Sequence, residues 1–248
     1  GRLVAVIGAG PAGMEAAVTL KQRGFDVVVF DKRDEIGGNL HVAKKPPFKG
    51  KFEWAIDYYK SMAKKLNITM KLGKEVTAQE VLALKPYSIL VATGSNVISI
   101  PLEGLDQVQS VQAHDVLAND MQFANKKVVV IGGGITGLET ALYINRQGTN
   151  QVSVVDMLPE WPVDMLDMRY QNEALLEVRH CNDQGVALFY NNKVVKFADG
   201  KLFIESTKDG EVKELPADVI VLSVGVKPND ALWQELLASG HPSVWKAG

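Results

Sequence analysis

Cysteine is almost missing from this 248-residue sequence: Cys181 is the one example. A single thiol excludes an internal disulfide, a CxxC dithiol and a cysteine-held zinc or iron–sulfur site within these residues. Excess charge is missing as well. Lys plus Arg number 27 against 29 Asp plus Glu, a formal net charge of −2, so there is no basic footprint for nucleic acid or for an anionic membrane surface. No stretch approaches the roughly 18 consecutive apolar residues of a membrane span, and the N-terminus lacks a leader pattern. The four histidines, His41, His114, His180 and His241, have no metal-ligand spacing. No GxSxG or Ser/His/Asp arrangement marks a nucleophile. What remains is an α/β protein expected in the cytoplasm, with no catalytic side chain and no metal ligand set to nominate.

What the sequence does have is glycine, 22 in all, at informative places. Leu3–Ile7 is a short β-branched run. It enters Gly8-Ala9-Gly10-Pro11-Ala12-Gly13, a helix-forming stretch follows, Gly24 ends it, and Asp26–Phe30 closes on Asp31. The same grammar recurs downstream. Lys127–Ile131 enters Gly132-Gly133-Gly134-Ile135-Thr136-Gly137, Gly148 ends the helix, and Gln151–Val155 closes on Asp156. The copies start 124 residues apart, with 23 positions from Gly8 to Asp31 and 24 from Gly132 to Asp156. One GxGxxG is a weak signal. Two copies, each between a strand and a helix with an acid closing the next strand, give the context a dinucleotide fingerprint requires.

Each glycine has its own reason. The first permits the tight turn, the second lets backbone approach a pyrophosphate, and the third lets helix and strand pack closely. The helix N-terminus then offers unpaired N–H groups to phosphate, and Asp31 and Asp156 would accept from ribose hydroxyls. Two further apolar runs, Tyr87–Ala92 into Thr93-Gly94 and Ala217–Leu222 into Ser223-Val224-Gly225, repeat the theme of a buried strand ending in small residues. The expected fold is therefore α/β, with two Rossmann-like dinucleotide-binding domains.

These residues, with Ile36-Gly37-Gly38-Asn39-Leu40, resemble the two-dinucleotide flavoproteins of glutathione-reductase type, in which a nicotinamide domain is inserted in an FAD domain. Gly38–Ala43, Pro46-Pro47-Phe48-Lys49 and Tyr58-Tyr59 are most similar to the C-terminal part of the Old Yellow Enzyme-related iron–sulfur flavoenzymes: 2,4-dienoyl-CoA reductase, 2-enoate reductase and trimethylamine dehydrogenase. The resemblance implies an FAD domain over 1–101 and 227–248 and an NAD(P)H domain over 102–226. It further implies that NADH passes hydride to FAD, and that electrons move on to a TIM-barrel domain carrying FMN and a [4Fe–4S] cluster outside these residues, where an enoate- or dienoyl-CoA-type substrate is reduced. Such chemistry is carried by cofactors and asks the protein for positioning rather than for an acid or nucleophile. An alternative is a trimethylamine dehydrogenase-like module with non-redox ADP in the second site; a glutamate synthase-type module shares the fold with a poorer match around residues 38–59. In the family the last FAD-contacting strand ends in Gly-Asp before a helix. Here Ser243–Gly248 has strand character and the sequence ends at the glycine, so that final contact is expected to be missing.

Site by site, the resemblance assigns Gly8, Gly10, Pro11, Ala12 and Gly13 to the FAD pyrophosphate and Asp31 to its ribose. Gly37, Gly38 and Leu40 form a second backbone wall, and Ala92, Thr93 and Gly94 line the exit from the domain. Lys32 is either a phosphate or adenosine contact or part of a solvated turn, and Asn39 either a flavin-side donor or a turn residue. In the second copy Gly132, Gly133, Gly134, Ile135 and Gly137 cradle the nicotinamide dinucleotide, with Gly225 nearby. Asp156 would accept from a 2′-hydroxyl and repel a 2′-phosphate, and no Arg follows before Arg169, so NADH is expected over NADPH. Glu139 matches a carboxamide-binding glutamate of related disulfide reductases or is an ordinary helix residue; Glu15 shares its offset. Lys44–Pro47 reads as a surface loop, Trp54–Ala63 as a helix with core aromatics, and Trp161-Pro162 as an adenine cover or a loop anchor.

Overall fold

The computed structural model describes residues 1–159 and 168–247; Trp161-Pro162 and Gly248 lie outside them. Two compact units emerge: Gly1–Lys44, Lys49–Asn96 and Lys227–Gly248 form the first, and Lys45–Phe48 with Val97–Val226 the second. The chain begins with β1 (Leu3–Ile7), α1 (Pro11–Gln22) and β2 (Asp26–Phe30), followed by the one-turn α2 (Leu40–Ala43) and α3 (Phe52–Lys65). Next come β3 (Thr69–Lys71), α4 (Ala78–Ala83) and β4 (Ser88–Val91). The connecting β5 (Ser95–Val97) leads to β6 (Gln109–Gln112), α5 (Ala113–Ala118), β7 (Lys127–Ile131), α6 (Ile135–Asn145) and β8 (Gln151–Val155). After α7 (Met168–Asp183) and β9 (Ala187–Phe189), the strands β10 (Asn192–Ala198), β11 (Lys201–Ser206) and β12 (Val212–Pro216) make an antiparallel meander, then β13 (Val219–Leu222). The return runs through β14 (Val226–Pro228), which pairs with β5, to α8 (Ala231–Ala238) and β15 (Val244–Lys246).

The first unit holds an all-parallel sheet in the order β15-β4-β1-β2-β3, the second one in the order β6-β13-β7-β8-β9. Four of the five strands correspond one for one: β4-β1-β2-β3 is repeated as β13-β7-β8-β9. Even the register repeats, since Ile7 faces Phe30 and Val91 while Ile131 faces Val155 and Leu222. Valine-rich strands suit this placement because a parallel sheet is buried on both faces. Val4 and Val6 of β1 join Met14, Ala17 and Val18 of α1 and Ala63 of α3 on one side. Ala5 and Ile7 join Val81 of α4 and Leu236 of α8 on the other. Met14 is fully buried, and burying a side chain of that size is worth about 1.5–3 kcal/mol. In the second unit Leu138, Ala141 and Leu142 of α6 and Val178 and Cys181 of α7 cover one face. The other is covered by Phe197, Leu202 and Ile204 of the meander instead of by helices.

Two readings from sequence need correction. The Trp54–Ala63 stretch is helical, but its inward face belongs to Ile56, Tyr59 and Ala63, at helical spacing, so Trp54 and Tyr58 turn outward and are 69% and 48% exposed. Lys44–Pro47 is not a plain surface loop: Pro46 is buried, Lys45 pairs with Asp120 at 2.5 Å, and Phe48 sits between Arg146 (4.4 Å) and His180 (5.1 Å). Among the described residues no helix is long and apolar enough to cross a membrane.

Candidate functional site

Both glycine turns are built by one geometry. Gly8 and Gly132 adopt φ +113° and +108°, values open to glycine and costly for other residues. Space closes the case, because a Cβ at Gly8 would stand 2.1 Å from the Ala92 carbonyl oxygen and one at Gly132 2.2 Å from that of Ser223. The same small-residue strand ends that the sequence singled out thus press on the first glycine of each turn. Matching main-chain bonds tie the corner together: Gly8 N–H donates to Phe30 O (2.7 Å) and Ala92 N–H to Ile7 O (2.7 Å), mirrored by Gly132 to Val155 (2.8 Å) and Ser223 to Ile131 (2.8 Å).

The third glycines pack against their own turns. A Cβ on Gly13 would lie 1.8 Å from Gly8 O, and one on Gly137 1.9 Å from Gly132 O. The second glycines differ in kind. Around Gly134 a Cβ would meet nothing within 4 Å, and around Gly10 only the Gly38 Cα at 3.9 Å. Both are helix N-caps with no side-chain hydrogen bond to the first turn, and Pro11 follows Gly10 at the first helical position. Among the described residues no group forbids a side chain at these two positions, and neither N-cap gives the amides of the first helical turn a side-chain acceptor. That combination is what a pyrophosphate on a helix N-terminus requires. Pro11, Ala12 and Ile135 lie in these first turns.

Asp31 and Asp156 do more than end their strands. Asp31 Oδ2 accepts from Ala9 N–H at 2.6 Å and Oδ1 from Arg33 N–H at 2.8 Å. Asp156 Oδ2 accepts from Gly133 N–H at 2.7 Å and Oδ1 from Leu158 N–H at 2.8 Å. Each carboxylate is therefore oriented by the glycine turn itself. A carboxylate has about four acceptor positions, so two remain on each aspartate, enough for a ribose diol. Residues of both units thus fit a dinucleotide in the same way.

The remaining nominated residues divide. Gly37 and Gly38 lie directly on the first turn: Gly37 N–H donates to Ala9 O at 2.9 Å, and a Cβ on Gly38 would be 2.7 Å from Gly10 Cα. Asn39 caps α2 without a side-chain bond, and Leu40 begins it. Ala92 is buried at the end of β4, and Thr93 Oγ1 donates to Asn229 O at 2.8 Å. Gly94 and Gly225 lie in the connecting segments, exposed, as Lys32 is in its turn. Glu139 is on α6, half-buried, two residues past Gly137. Two residues near these turns were given no site role from the sequence. Tyr190, just past β9, has a ring carbon that would be 3.1 Å from a Cβ on Gly133, so the fourth glycine of this copy makes room for it; no local spacing announces such a contact. His41 is the other, and its ring touches the Gly37 backbone.

Away from the two turns, His241 has a structural role. His241 Nε2 donates to Pro86 O at 3.0 Å and Nδ1 accepts from Ser243 N–H at 3.2 Å. Cys181 is buried, which pushes its thiol up to about 12. Among the described residues no group of His, Cys, Asp and Glu could hold a metal ion.

Comparison with known proteins agrees with this geometry. The chain is 36% identical over 233 residues to the NADH oxidase of Thermoanaerobacter brockii, covering 91% of this chain and 34% of that protein. It is 35% identical over 226 residues to the bilirubin reductase of Mediterraneibacter gnavus, covering 91% and 34%. A solved structure of 2-naphthoyl-CoA reductase with 2-naphthoyl-CoA superposes with a TM-score of 0.87 at 30% identity, over 100% of this chain and 36% of that one. The chain thus spans about a third of the length of these relatives. Residues 2–240 match the family described as "Pyridine nucleotide-disulphide oxidoreductase". With two dinucleotide corners of one design and that match over nearly its whole length, the chain belongs to the pyridine nucleotide-disulphide oxidoreductase family, whose fold binds FAD and NAD(P)H.

Proposed function

We propose that this chain is the nucleotide-binding module of a longer NADH-dependent flavin oxidoreductase, with FAD in the first unit and NADH in the second. The observation that carries it is the repeated corner in which a strand-end aspartate is held by the glycine turn: Asp31 by Ala9, Asp156 by Gly133. When bound, the two cofactors supply the redox chemistry, hydride leaving the nicotinamide for the flavin. The protein's share is orientation. Backbone N–H groups at the starts of α1 and α6 would hold the phosphates, Gly10 and Gly134 leave them room, and Asp31 and Asp156 would hold the adenosine riboses. Gly37-Gly38 and Thr93-Gly94 would flank the FAD, and Glu139 would meet the carboxamide.

The relatives named as reductases, and the short span of them that this chain covers, support an acceptor elsewhere in the full-length protein. We assign that role to a TIM-barrel domain with FMN and a [4Fe–4S] cluster, acting on an enoate- or enoyl-CoA-type substrate. The single cysteine supports passing electrons out of the module, since the sequence offers no dithiol to receive them.

Preference for NADH rests on Asp156, whose carboxylate would repel a 2′-phosphate. Calorimetric titration of the full-length protein should give at least about a tenfold tighter Kd for NADH than for NADPH, or about 1.4 kcal/mol. Asp156→Ser should erase that difference. Tighter binding of NADPH by the unaltered protein would overturn the assignment.

A further inference from the structure

His41 belongs to no catalytic or metal pattern, yet it holds the segment that lies on the first glycine turn. Its Nε2 is 2.8 Å from the Ile36 carbonyl oxygen. A carbonyl only accepts, so Nε2 carries the proton and donates it. The same nitrogen is 3.4 Å from Glu35 Oε2, and the ring is 17% exposed against 50% for that carboxylate. The ring also lies on the Gly37 backbone: a Cβ there would meet Nε2 at 2.7 Å, Cδ2 at 3.0 Å and the buried Ile56 at 3.2 Å.

The segment needs holding. Gly37 and Gly38 adopt φ +126° and +53° in succession, and consecutive glycines lose more conformational freedom on ordering than any other pair. They belong to no strand. The helix that follows, α2, has four residues, too few to be stable alone. Its own bonds are all local: Leu40 N–H to Gly37 O (3.0 Å), His41 N–H to Gly38 O (3.3 Å), Val42 and Ala43 N–H to Asn39 O (3.1 and 2.9 Å) and Lys44 N–H to Leu40 O (3.1 Å). The bond from His41 back to Ile36 closes a loop around both glycines. Gly37 N–H to Ala9 O then sets that loop on the turn, where Gly38 meets Gly10.

We propose that His41 is a positioning residue of the first nucleotide site, locking Gly37-Gly38 over the phosphate-binding turn before the cofactor arrives. This rests on the assignment of FAD to the first unit. Affinity is gained because the ordering of the loop is met in folding rather than at binding.

The test uses the full-length protein and its His41→Ala, His41→Asn and His41→Gln variants. Gln places an N–H donor at about the same reach as Nε2, whereas Asn is one bond short. Two readouts are taken: the FAD Kd by flavin fluorescence, and amide hydrogen exchange of residues 36–40 without FAD. The expected result is an FAD Kd raised about three- to tenfold in His41→Ala and His41→Asn, the worth of one hydrogen bond. Exchange at 36–40 is faster in both, Gln restores both readouts, and the NADH Kd does not move. An unchanged FAD Kd in His41→Asn, unchanged exchange, or no rescue by Gln overturns the role given to His41. A parallel loss of NADH binding would mark a general packing defect and overturns it equally. Failure of the unaltered protein to bind FAD overturns the first-unit assignment itself and this role with it, and the wild-type arm alone reveals that outcome.

Discussion

A Cβ is a small addition, and at the turn glycines its consequence depends on what stands 2 Å away. Gly134 has φ −67° and ψ 170°, open to any L-residue, and none of the described residues would lie within 4 Å of its Cβ. Gly134→Ala should change the stability of the unliganded protein by less than about 1 kcal/mol, because the entropy lost by the unfolded chain is offset by alanine's poorer N-cap. It should weaken NADH binding by an order of magnitude or more, because a methyl would occupy the approach of the phosphates. Gly137→Ala is the opposite case. Its Cβ would fall 1.9 Å from a main-chain oxygen, so the turn itself must shift and the melting temperature should drop by several degrees. Paired thermal melts and NADH titrations of the two variants separate a ligand-binding glycine from a packing one. Cys181 gives a second residue-scale test. Burial raises its thiol to about 12, so in the native protein it stays protonated and unreactive toward a thiol reagent at neutral pH. Labelling should appear only on unfolding, and fast native labelling would contradict its place between α6 and α7.

At the scale of elements, the strand–turn–helix corners were legible because their signal is local: apolar run, glycine spacing, helix, apolar run, aspartate. What was not legible depends on contacts distant in sequence. Lys45 pairs with Asp120 and Phe48 with Arg146, and neither follows from the Lys44–Pro47 composition. The exposure of Trp54 depends on which face of α3 packs inward, and Ile56 takes it. The meander β10-β11-β12 carries half-exposed strands with weak alternation and gave no motif to read. The carboxylate bonds of Asp31 and Asp156 were half legible, since spacing located the acids but not the amides that orient them. The helix α4 shows an element's dependence on pH. Thr77 and Glu80 form a reciprocal capping box, and Lys74 also bonds Glu80. Lys74 first, then the Thr77 amide, lowers the Glu80 carboxyl from 4.5 to about 2. A lowered folded value means the contribution is complete above pH 4.5 and is lost as pH falls toward 2. The stability difference between wild type and Glu80→Gln should therefore be constant above pH 5 and shrink below pH 4 in denaturant titrations. Thr77→Ala should cost about 1 kcal/mol at neutral pH.

For the molecule as a whole, the order of strands in two sheets carries the functional claim. A sheet order of β4-β1-β2-β3 repeated as β13-β7-β8-β9 places a glycine turn and an aspartate at the same edge of each unit, and so gives two candidate nucleotide sites of one design. In the proposed function these sites hold FAD and NADH as a redox pair. Its most direct test is anaerobic titration of the FAD-loaded full-length protein with NADH, following the flavin absorbance. The expected result is bleaching by NADH, slower bleaching by NADPH, and slower bleaching in Gly134→Ala at NADH concentrations that just saturate the wild type. Unbleached flavin under excess NADH, with ADP bound tightly at the second unit, would contradict it.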